Sequence, residues 1–179
     1  MRTWLRGALV TALVWGTAAP AEVRSSNDVG FSVASSVGID RDARSIYTLI
    51  AKPARWWSRE HSYSGDAANL SMDPRAGGCF CERLPGADGS PGSVEHARII
   101  LAEPYKRLRL SGALGPLQAD AVIGTLEFTL APAGKGVEVT ISYVAAGSMR
   151  TDPRQIAPVV DRVLVEQLAS LKRVAEQGG

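Results

Sequence analysis

The sequence predicts an α+β fold in which one antiparallel sheet of about six or seven strands packs against a long C-terminal helix, with two short helices after the first strand. Several short segments alternate apolar and polar residues and are separated by turn residues, a pattern typical of strands joined as hairpins. The C-terminal segment instead carries apolar side chains at helical spacing. A single sheet needs a cover for one face, so we expect the helix to lie across it.

The first predicted element is a strand. Phe31, Val33, Ser35, Val37 and Ile39 alternate with small or polar residues. Successive side chains of a strand point to opposite faces, so these five share one face.

Two short helical segments are predicted next. Asp40 offers an N-cap for a helix that ends near Ile50. Pro53 stops or kinks this helix, because proline lacks the N–H group that a helix interior needs. A second helical turn is predicted at residues 55–57.

The central part of the chain is predicted to form the remaining strands. A turn rich in proline and glycine at residues 73–78 and a loop at residues 85–92 separate the first of them. The strands are predicted at residues 69–72, 79–84, 94–102, 107–111, 119–130 and 137–143.

The last element is an amphipathic helix that ends near Gln177. Asp152 and Pro153 resemble an N-cap followed by proline at the first helical position. Pro158 removes one early helical hydrogen bond, so we expect a bend or a later start there. The apolar stripe comprises Ile156, Val159, Val160, Val163, Leu164, Leu168, Leu171 and Val174.

Residues 1–21 have the three-part pattern of a secretory signal peptide. Arg2 and Arg6 precede an apolar run, and Ala19-Pro20-Ala21 has the form of a cleavage site. The run is short for a bilayer span, although an uncleaved anchor is the alternative. We therefore expect a periplasmic or secreted protein with no stable membrane insertion after cleavage. Residues 22–30 are expected to be a flexible mature N-terminus and residues 31–177 a single domain.

Composition argues against nucleic acid as a partner. The chain has 20 basic and 18 acidic residues, and Arg2 and Arg6 account for the whole excess. A nucleic-acid surface needs clustered positive charge. The short run 106–109 is interpreted as the solvated side of a strand. No glycine-rich nucleotide-binding loop occurs in the sequence, and we expect no cofactor.

Three stretches give the chain a family resemblance. They are Trp56-Trp57, the segment Leu70-Ser71-Met72-Asp73-Pro74-Arg75-Ala76-Gly77-Gly78, and the helix start Ala157-Pro158-Val159-Val160-Asp161. With the order of elements, they resemble the START-like helix-grip superfamily (SRPBCC), in its polyketide cyclase and heat-shock ATPase-activator-like branch. The resemblance spans residues 31–176.

The resemblance implies a curved antiparallel sheet that grips the long helix around a deep apolar cavity. Members of the superfamily bind lipids, sterols, polyketides or other hydrophobic molecules, and some are cyclases or co-chaperone modules. The export signal argues against a cytosolic co-chaperone. The chain departs from the commoner pattern at Cys79-Phe80-Cys81, where a bulkier or basic residue usually follows the Gly-Gly turn.

Candidate ligand-binding residues follow from the expected cavity. Cavities of this kind are mostly hydrophobic with a few placed polar groups. Ordinary core packing is the alternative for each aromatic side chain. Arg75, Arg98 and Asn69 are candidate polar anchors. The candidates that would line the cavity are Trp56, Trp57, Tyr63, Cys81, His96, Phe128, Tyr143, Leu164 and Leu168.

The candidate catalytic residues are His61, His96 and Tyr63, with Cys81 as a further suspect. A histidine that titrates near neutral pH suits general acid–base catalysis. The alternative for each histidine is a packed or half-exposed residue without a reaction. Glu95 is not the natural partner of His96, because adjacent strand residues face opposite ways.

The two cysteines, Cys79 and Cys81, have three interpretations. They are favoured as buried thiols that act as small apolar side chains. A disulfide is the second interpretation, either between the two cysteines, where it is strained at this spacing, or between two molecules. We expect no metal, although Cys79, Cys81, His61 and His96 together offer a ligand set that zinc accepts.

Three functions remain open from the sequence. The first is an exported protein that binds a hydrophobic or amphipathic small molecule, or a lipid, between the sheet and the C-terminal helix. The second is a polyketide cyclase-like enzyme. The third is a protein-interaction module whose interior is filled by side chains.

Overall fold

The computed structural model describes residues 22–86 and 88–178. The proposed signal peptide at residues 1–21 lies outside the described residues. The strands are β1 (Glu22–Asn27), β2 (Gly30–Ile39), β3 (Leu70–Met72), β4 (Cys79–Leu84), β5 (Gly92–Glu103), β6 (Arg107–Ser111), β7 (Ala121–Ala133) and β8 (Gly136–Ser148). The helices are α1 (Ala43–Ile50) and α2 (Pro153–Glu176), and short 3₁₀ turns occur at Pro53–Arg55, Arg59–His61, Ala67–Asn69 and Gly115–Ala119.

The predicted α+β fold is confirmed. In the described part of the chain, eight strands form one antiparallel sheet in the order β1-β2-β8-β7-β6-β5-β4-β3. The sheet is one strand larger than the upper bound of the prediction. The chain places β2 beside β8, so the second strand and the last strand pair next to the β1 edge of the sheet.

The additional strand is β1. It lies within residues 22–30, which the sequence suggests are a flexible segment, but its backbone pairs with β2. The segment is mostly polar and lacks the alternation that identified the other strands. An edge strand of this kind is held by main-chain hydrogen bonds to the neighbouring strand. These bonds do not require a particular pattern of side chains, so the sequence does not reveal them.

Helix α1 begins two residues later than predicted. Its N-cap is Asp42 rather than Asp40, and the Asp42 carboxylate accepts hydrogen bonds from the backbone N–H and the hydroxyl of Ser45 at 2.9 and 2.6 Å. Ile46, Leu49 and Ile50 are buried from this helix.

Helix α2 begins at Pro153 and continues through Pro158, so no later start occurs there. The Asp152 carboxylate caps it by accepting the N–H of Arg154 at 2.8 Å. Asp161 is buried on the helix, and the Ser35 hydroxyl of β2 lies 3.5 Å from its carboxylate. This polar contact fixes the helix against the sheet.

Helix α2 packs chiefly against β1 and β2. The opposite part of the sheet, formed by β4 and β5, is therefore not covered closely by the helix. Residues 56–64 pass through the space between them, and this arrangement positions the site described below. No helix among the described residues has both the length and the apolar character that a membrane span requires.

Candidate functional site

A cavity of about 430 Å³ lies between α2, the segment 57–63, strands β4 and β5, and the loop that follows β6. The helix side is wholly apolar, whereas the other side carries histidine, tyrosine and glutamate. The lining residues are Trp57, Glu60, His61, Ser62, Tyr63, Phe80, His96, Leu114, Gly115, Pro116, Ile156, Val159, Val160, Val163 and Leu164.

The segment 57–63 is fixed by polar contacts to itself and to α2. The indole N–H of Trp57 donates to the carbonyl of His61 at 3.0 Å, which closes the turn. The backbone N–H of Ser58 donates to Oε1 of Gln167 at 2.8 Å. Nε2 of His61 lies 3.0 Å from the carboxylate of Glu166. Hydrogen bonds from His61 and Ser58 lower the pKa of Glu166.

Glu82 is the polar anchor behind the cavity wall. Its side chain is fully buried on β4. One carboxylate oxygen accepts the backbone N–H of Tyr63 at 3.0 Å and faces Nε2 of His96 at 2.9 Å. The other accepts the backbone N–H of Ser64 at 2.5 Å. Burial raises the pKa of Glu82, but the hydrogen bonds from Ser64, Tyr63 and His96 outweigh it, so the pKa is lowered and the group is ionised.

A β-bulge turns His96 inward. Phe80 of β4 pairs with Ala97 of β5, but the next residue, Cys81, pairs with Glu95, so His96 is the extra residue on β5. His96 and Ala97 are consecutive in sequence and both buried, which a regular strand does not allow. Bulges re-aim side chains in this way and are frequent beside functional sites.

His96 is held as a neutral imidazole. Burial lowers its pKa, and the carboxylate of Glu82 only partly offsets that effect. An ionised carboxylate can only accept hydrogen bonds, so Nε2 of His96 carries the ring proton. Nδ1 therefore keeps its lone pair, and it has no hydrogen bond to any described residue. The ring packs on Phe80, with the centroids 4.9 Å apart.

Two tyrosines hold the loop that forms the rim of the cavity. The hydroxyl of Tyr63 donates to the carbonyl of Gly115 at 2.9 Å. The hydroxyl of Tyr143 donates to the carbonyl of Gly112 at 3.2 Å and accepts the N–H of Leu114 at 3.0 Å. Burial raises the pKa of Tyr143 to about 12, so it remains a hydroxyl. A side chain on Gly124 would collide with this hydroxyl, which explains the glycine there.

The structure separates the predicted ligand-binding residues other than Cys81 into two groups. Trp57, Tyr63, His96 and Leu164 line the cavity, and so does His61, which was predicted only as a catalytic candidate or metal ligand. The other group is buried in the core and does not line this cavity; it comprises Trp56, Phe128, Tyr143 and Leu168.

Cys81 lies on the opposite face of β4 from the cavity. Phe80 and Glu82 are the buried residues of this strand, whereas Cys79 and Cys81 alternate with them and are half-buried. The predicted place of Cys81 in the cavity is therefore corrected by strand alternation.

The cysteines form a disulfide rather than the two thiols favoured from the sequence. Cys79 and Cys81 are bonded, and their Cα atoms are 5.4 Å apart, within the usual range for disulfides. The zinc alternative fails on position, because His61 and His96 line the cavity and the cysteines face away from it. The described donor group nearest to a metal set is Cys79, Cys81 and Glu95, with ligand atoms within 4.8 Å of one another.

The predicted polar anchors lie outside the cavity lining. Arg75 pairs with Asp73 at 2.8 Å in the turn before β4. Arg98 pairs with Glu95 on the outer face of β5. Asn69 accepts a hydrogen bond from Arg83 at 3.2 Å.

Glu82 was not among the residues predicted from the sequence to form the site. The alternation of β4 was visible in the sequence and places Glu82 on the face of Phe80 rather than that of Cys81. A charged residue on the apolar face of a strand is informative, because charged side chains are seldom buried without partners. The rim residues 114–116 were also missed, since they belong to a loop without a motif.

A second hollow, of about 480 Å³, lies between α1 and the end of α2. Its lining is strongly basic and includes Arg41, Arg44, Lys52 and Arg55. Arg41 is engaged by the carbonyl of Ala175 at 3.0 Å, and Arg44 lies over the ring of Tyr105. The hollow brings together no buried titratable group comparable to the Glu82–His96 pair.

Comparison with solved structures gives similar folds at low sequence identity. The protein MLL2253 from Mesorhizobium loti aligns with a TM-score of 0.57 and 17% identity, covering 83% of this chain and 98% of its own. The AHSA1-like protein from Aeromonas hydrophila gives 0.53 and 17%, covering 83% and 94%. The di-domain ARO/CYC StfQ from the steffimycin biosynthetic pathway gives 0.59 and 14%, covering 84% of this chain and 52% of StfQ.

No protein-family model matches the chain, and no curated protein matches its sequence. The structural likenesses establish the fold alone: the chain has the helix-grip arrangement of a curved antiparallel sheet and a long C-terminal helix, as the sequence predicted. The fold alone does not specify the function, because one fold hosts many activities.

Proposed function

We propose that this protein is an exported small-molecule binding protein that holds a hydrophobic ligand with a hydroxyl group in the cavity between α2 and the sheet. The export and the periplasmic or extracellular location are part of this proposal and derive from the pattern of residues 1–21. The observation that carries the proposal is the cavity of about 430 Å³ with its mixed lining.

The size and lining of the cavity support a small molecule. Ligand sites are usually concavities of about 300–1,000 Å³ with mostly apolar walls and a few placed polar groups. Val159, Val160 and Val163 provide the apolar wall on α2, with His96 on the facing strand. The interaction-module alternative assumed a filled interior, whereas a cavity is present there.

The polar groups favour a neutral ligand with a hydrogen-bond donor. Nδ1 of neutral His96 is an acceptor, so a phenol, enol or alcohol suits it better than an ether or a ketone. Glu60 and Glu166 stand near the rim, and Glu60 lines the cavity. Their negative charge disfavours a fatty acid carboxylate.

Filling the cavity from the helix side is expected to abolish ligand binding. Val163→Trp places an indole in the space that the ligand occupies, so the affinity for the neutral fluorescent probe N-phenyl-1-naphthylamine should fall at least tenfold, which corresponds to about 1.4 kcal/mol. Fluorescence titration of the folded, full-length chain measures this affinity.

The matched control is Val165→Trp, which makes the same change on the same helix outside the cavity lining. The control should bind the probe within twofold of the wild-type protein. Equal probe affinity in Val163→Trp and the wild type, with both folded by circular dichroism, would contradict the proposal.

A cyclase-like enzyme is the second candidate, and the buried Glu82–His96 pair favours it. A neutral imidazole whose other nitrogen donates to a carboxylate is a general base of a recurrent type. The proton removed from a carbon next to a carbonyl would pass to Nδ1 of His96, leaving an enolate in the cavity.

Proton abstraction by His96 is expected to accelerate deuterium exchange at the acidic carbon of 2-tetralone in deuterated water. The pKa of His96 is lowered below its ordinary 6.5, so the base form is present at neutral pH. The rate should therefore be flat above pH 6.5 and fall as the pH drops through the lowered pKa. Proton NMR follows the exchange.

His96→Gln removes the base and should reduce exchange to the rate without protein, whereas His61→Gln should retain most of the acceleration. Indistinguishable rates in the wild type and His96→Gln would reject the enzyme and leave the binding proposal intact.

A further inference from the structure

The Cys79–Cys81 disulfide lies on the outer face of β4, away from the proposed ligand cavity. Both cysteines are half-buried, and the buried residues of the strand, Phe80 and Glu82, point the other way. The outer-face neighbours come from β5, where Cys79 pairs with Arg98 and Cys81 pairs with Glu95. The disulfide is thus accessible to an external thiol, and it lies beside one positive side chain, Arg98, and one negative side chain, Glu95.

A disulfide that joins residues so close in sequence contributes little to the stability of the whole fold. It encloses only Phe80, and a disulfide that closes so short a loop removes little conformational freedom from the unfolded chain. The covalent bond instead spans the site of the β-bulge, where Phe80 pairs with Ala97 and Cys81 with Glu95. Its influence is therefore local.

A metal site is the less suitable interpretation of the same cluster. Cys79, Cys81 and Glu95 offer three ligand atoms within 4.8 Å of one another. Glu95, however, is already paired with Arg98, whose positive charge opposes a cation at this place. Both sulfurs are also engaged with each other, whereas a metal needs free thiolates.

We propose that Cys79–Cys81 is a redox-active disulfide that exchanges with an external dithiol reductant. The side chain of Arg98 lies beside that of Cys79, because residues paired directly across antiparallel strands have neighbouring side chains on one face. Sγ of Cys79 lies 4.0 Å from the Glu95 carboxylate, to which Arg98 is bound. A guanidinium beside a cysteine favours its thiolate form, and a more stable thiolate leaves a disulfide faster.

The exchange is balanced in two steps. A thiolate of the external dithiol attacks Sγ of Cys81, and the electron pair of the Cys79–Cys81 bond leaves on Sγ of Cys79, beside Arg98. The second thiol of the reductant then loses its proton and attacks the mixed disulfide at the reductant's own sulfur, which releases Cys81. The dithiol is oxidised to a disulfide, and its two protons end on Cys79 and Cys81.

The test measures reduction of the folded, full-length oxidised protein by dithiothreitol at pH 7. Samples taken over time are alkylated with a maleimide, and mass spectrometry counts the labels while circular dichroism monitors the fold. Two labels should appear together without loss of the fold. Arg98→Gln should slow the reduction about threefold, because the leaving thiolate of Cys79 loses its neighbouring positive charge.

Glu95→Gln should change the rate in the opposite direction, because it leaves the charge of Arg98 unopposed beside Cys79. General loosening of the strand would accelerate reduction in both variants, so the opposite signs separate electrostatics from damage. Arg109→Gln removes an arginine on β6 from its ion pair with Glu127 of β7 and should leave the rate unchanged.

Labelling that occurs only when the protein unfolds would overturn the proposal. So would rates in Arg98→Gln and Glu95→Gln that are unchanged or that move in the same direction. The measurement involves no ligand of the cavity, so its outcome is independent of the proposed binding function.

Discussion

Replacing Glu82 by alanine is expected to lower the free energy of unfolding by about 3–5 kcal/mol, the usual cost of removing one partner from a buried charged network. The carboxylate accepts the N–H groups of Tyr63 and Ser64 and faces Nε2 of His96, and its side chain is fully buried. Alanine leaves these donors without their acceptor. Urea unfolding at pH 7 measures the loss.

Glu82→Gln should cost less, about 1–2 kcal/mol. The glutamine amide matches the carboxylate in shape, but its NH₂ group must face either Tyr63 N–H or Ser64 N–H, and one of these hydrogen bonds is lost. The order of stability is therefore expected to be wild type, then Gln, then Ala.

The matched control is Glu103→Gln, which removes a half-exposed carboxylate paired with Arg107 at 2.8 Å. Exposed ion pairs contribute little, so the change should be within about 0.5 kcal/mol. A loss in Glu82→Ala as small as in this control would show that the segment 61–64 does not depend on the carboxylate.

Replacing Trp56 by alanine is the second change with a large expected effect, about 3–5 kcal/mol of unfolding free energy. The indole is 2% exposed, packs on Trp57 and Phe128 at centroid distances of 5.3 and 6.1 Å, and donates to the carbonyl of Leu49 at 2.9 Å. Alanine leaves a void that the neighbouring rings cannot fill and removes one of two hydrogen bonds to that carbonyl, which keeps the backbone N–H of Lys52 at 2.8 Å. Thermal and urea unfolding measure the effect.

Trp57→Ala is the informative comparison, because the two tryptophans are adjacent but differ in position. Trp57 lines the cavity, so its loss should weaken probe binding and cost less stability than the loss of Trp56. If Trp56→Ala instead left stability within about 1 kcal/mol of the wild type and removed probe binding, Trp56 would belong to the ligand site, as first predicted from the sequence.

The elements of this fold that bury a regular face were predictable. Apolar residues alternate along β2 and β8 and recur at helical spacing along α2. Each pattern arises because one face of the element is buried. Strand β1 was not predictable in this way, because main-chain pairing holds it and its mostly polar sequence carries no such period.

Several residues of the candidate site were predictable from the sequence, but their arrangement in space was not. Trp57, His61 and Tyr63 were each predicted from the sequence as ligand-binding or catalytic candidates, and all three line the cavity. His96 reaches it only because a bulge adds one residue to β5. No residue type in β5 predicts the bulge, because the bulge depends on how β4 pairs with β5.

By itself, the sequence determined the helix-grip architecture. The hydrophobic period, the turn residues and the helix caps each depend on only a few neighbouring residues, so they can be recognised in the sequence. Tertiary structure decided which of two adjacent tryptophans lines the cavity, which face of β4 points toward the cavity, and how His96 gains its carboxylate partner. Those outcomes depend on register between strands distant in the chain, where a shift of one residue exchanges the inner and outer faces.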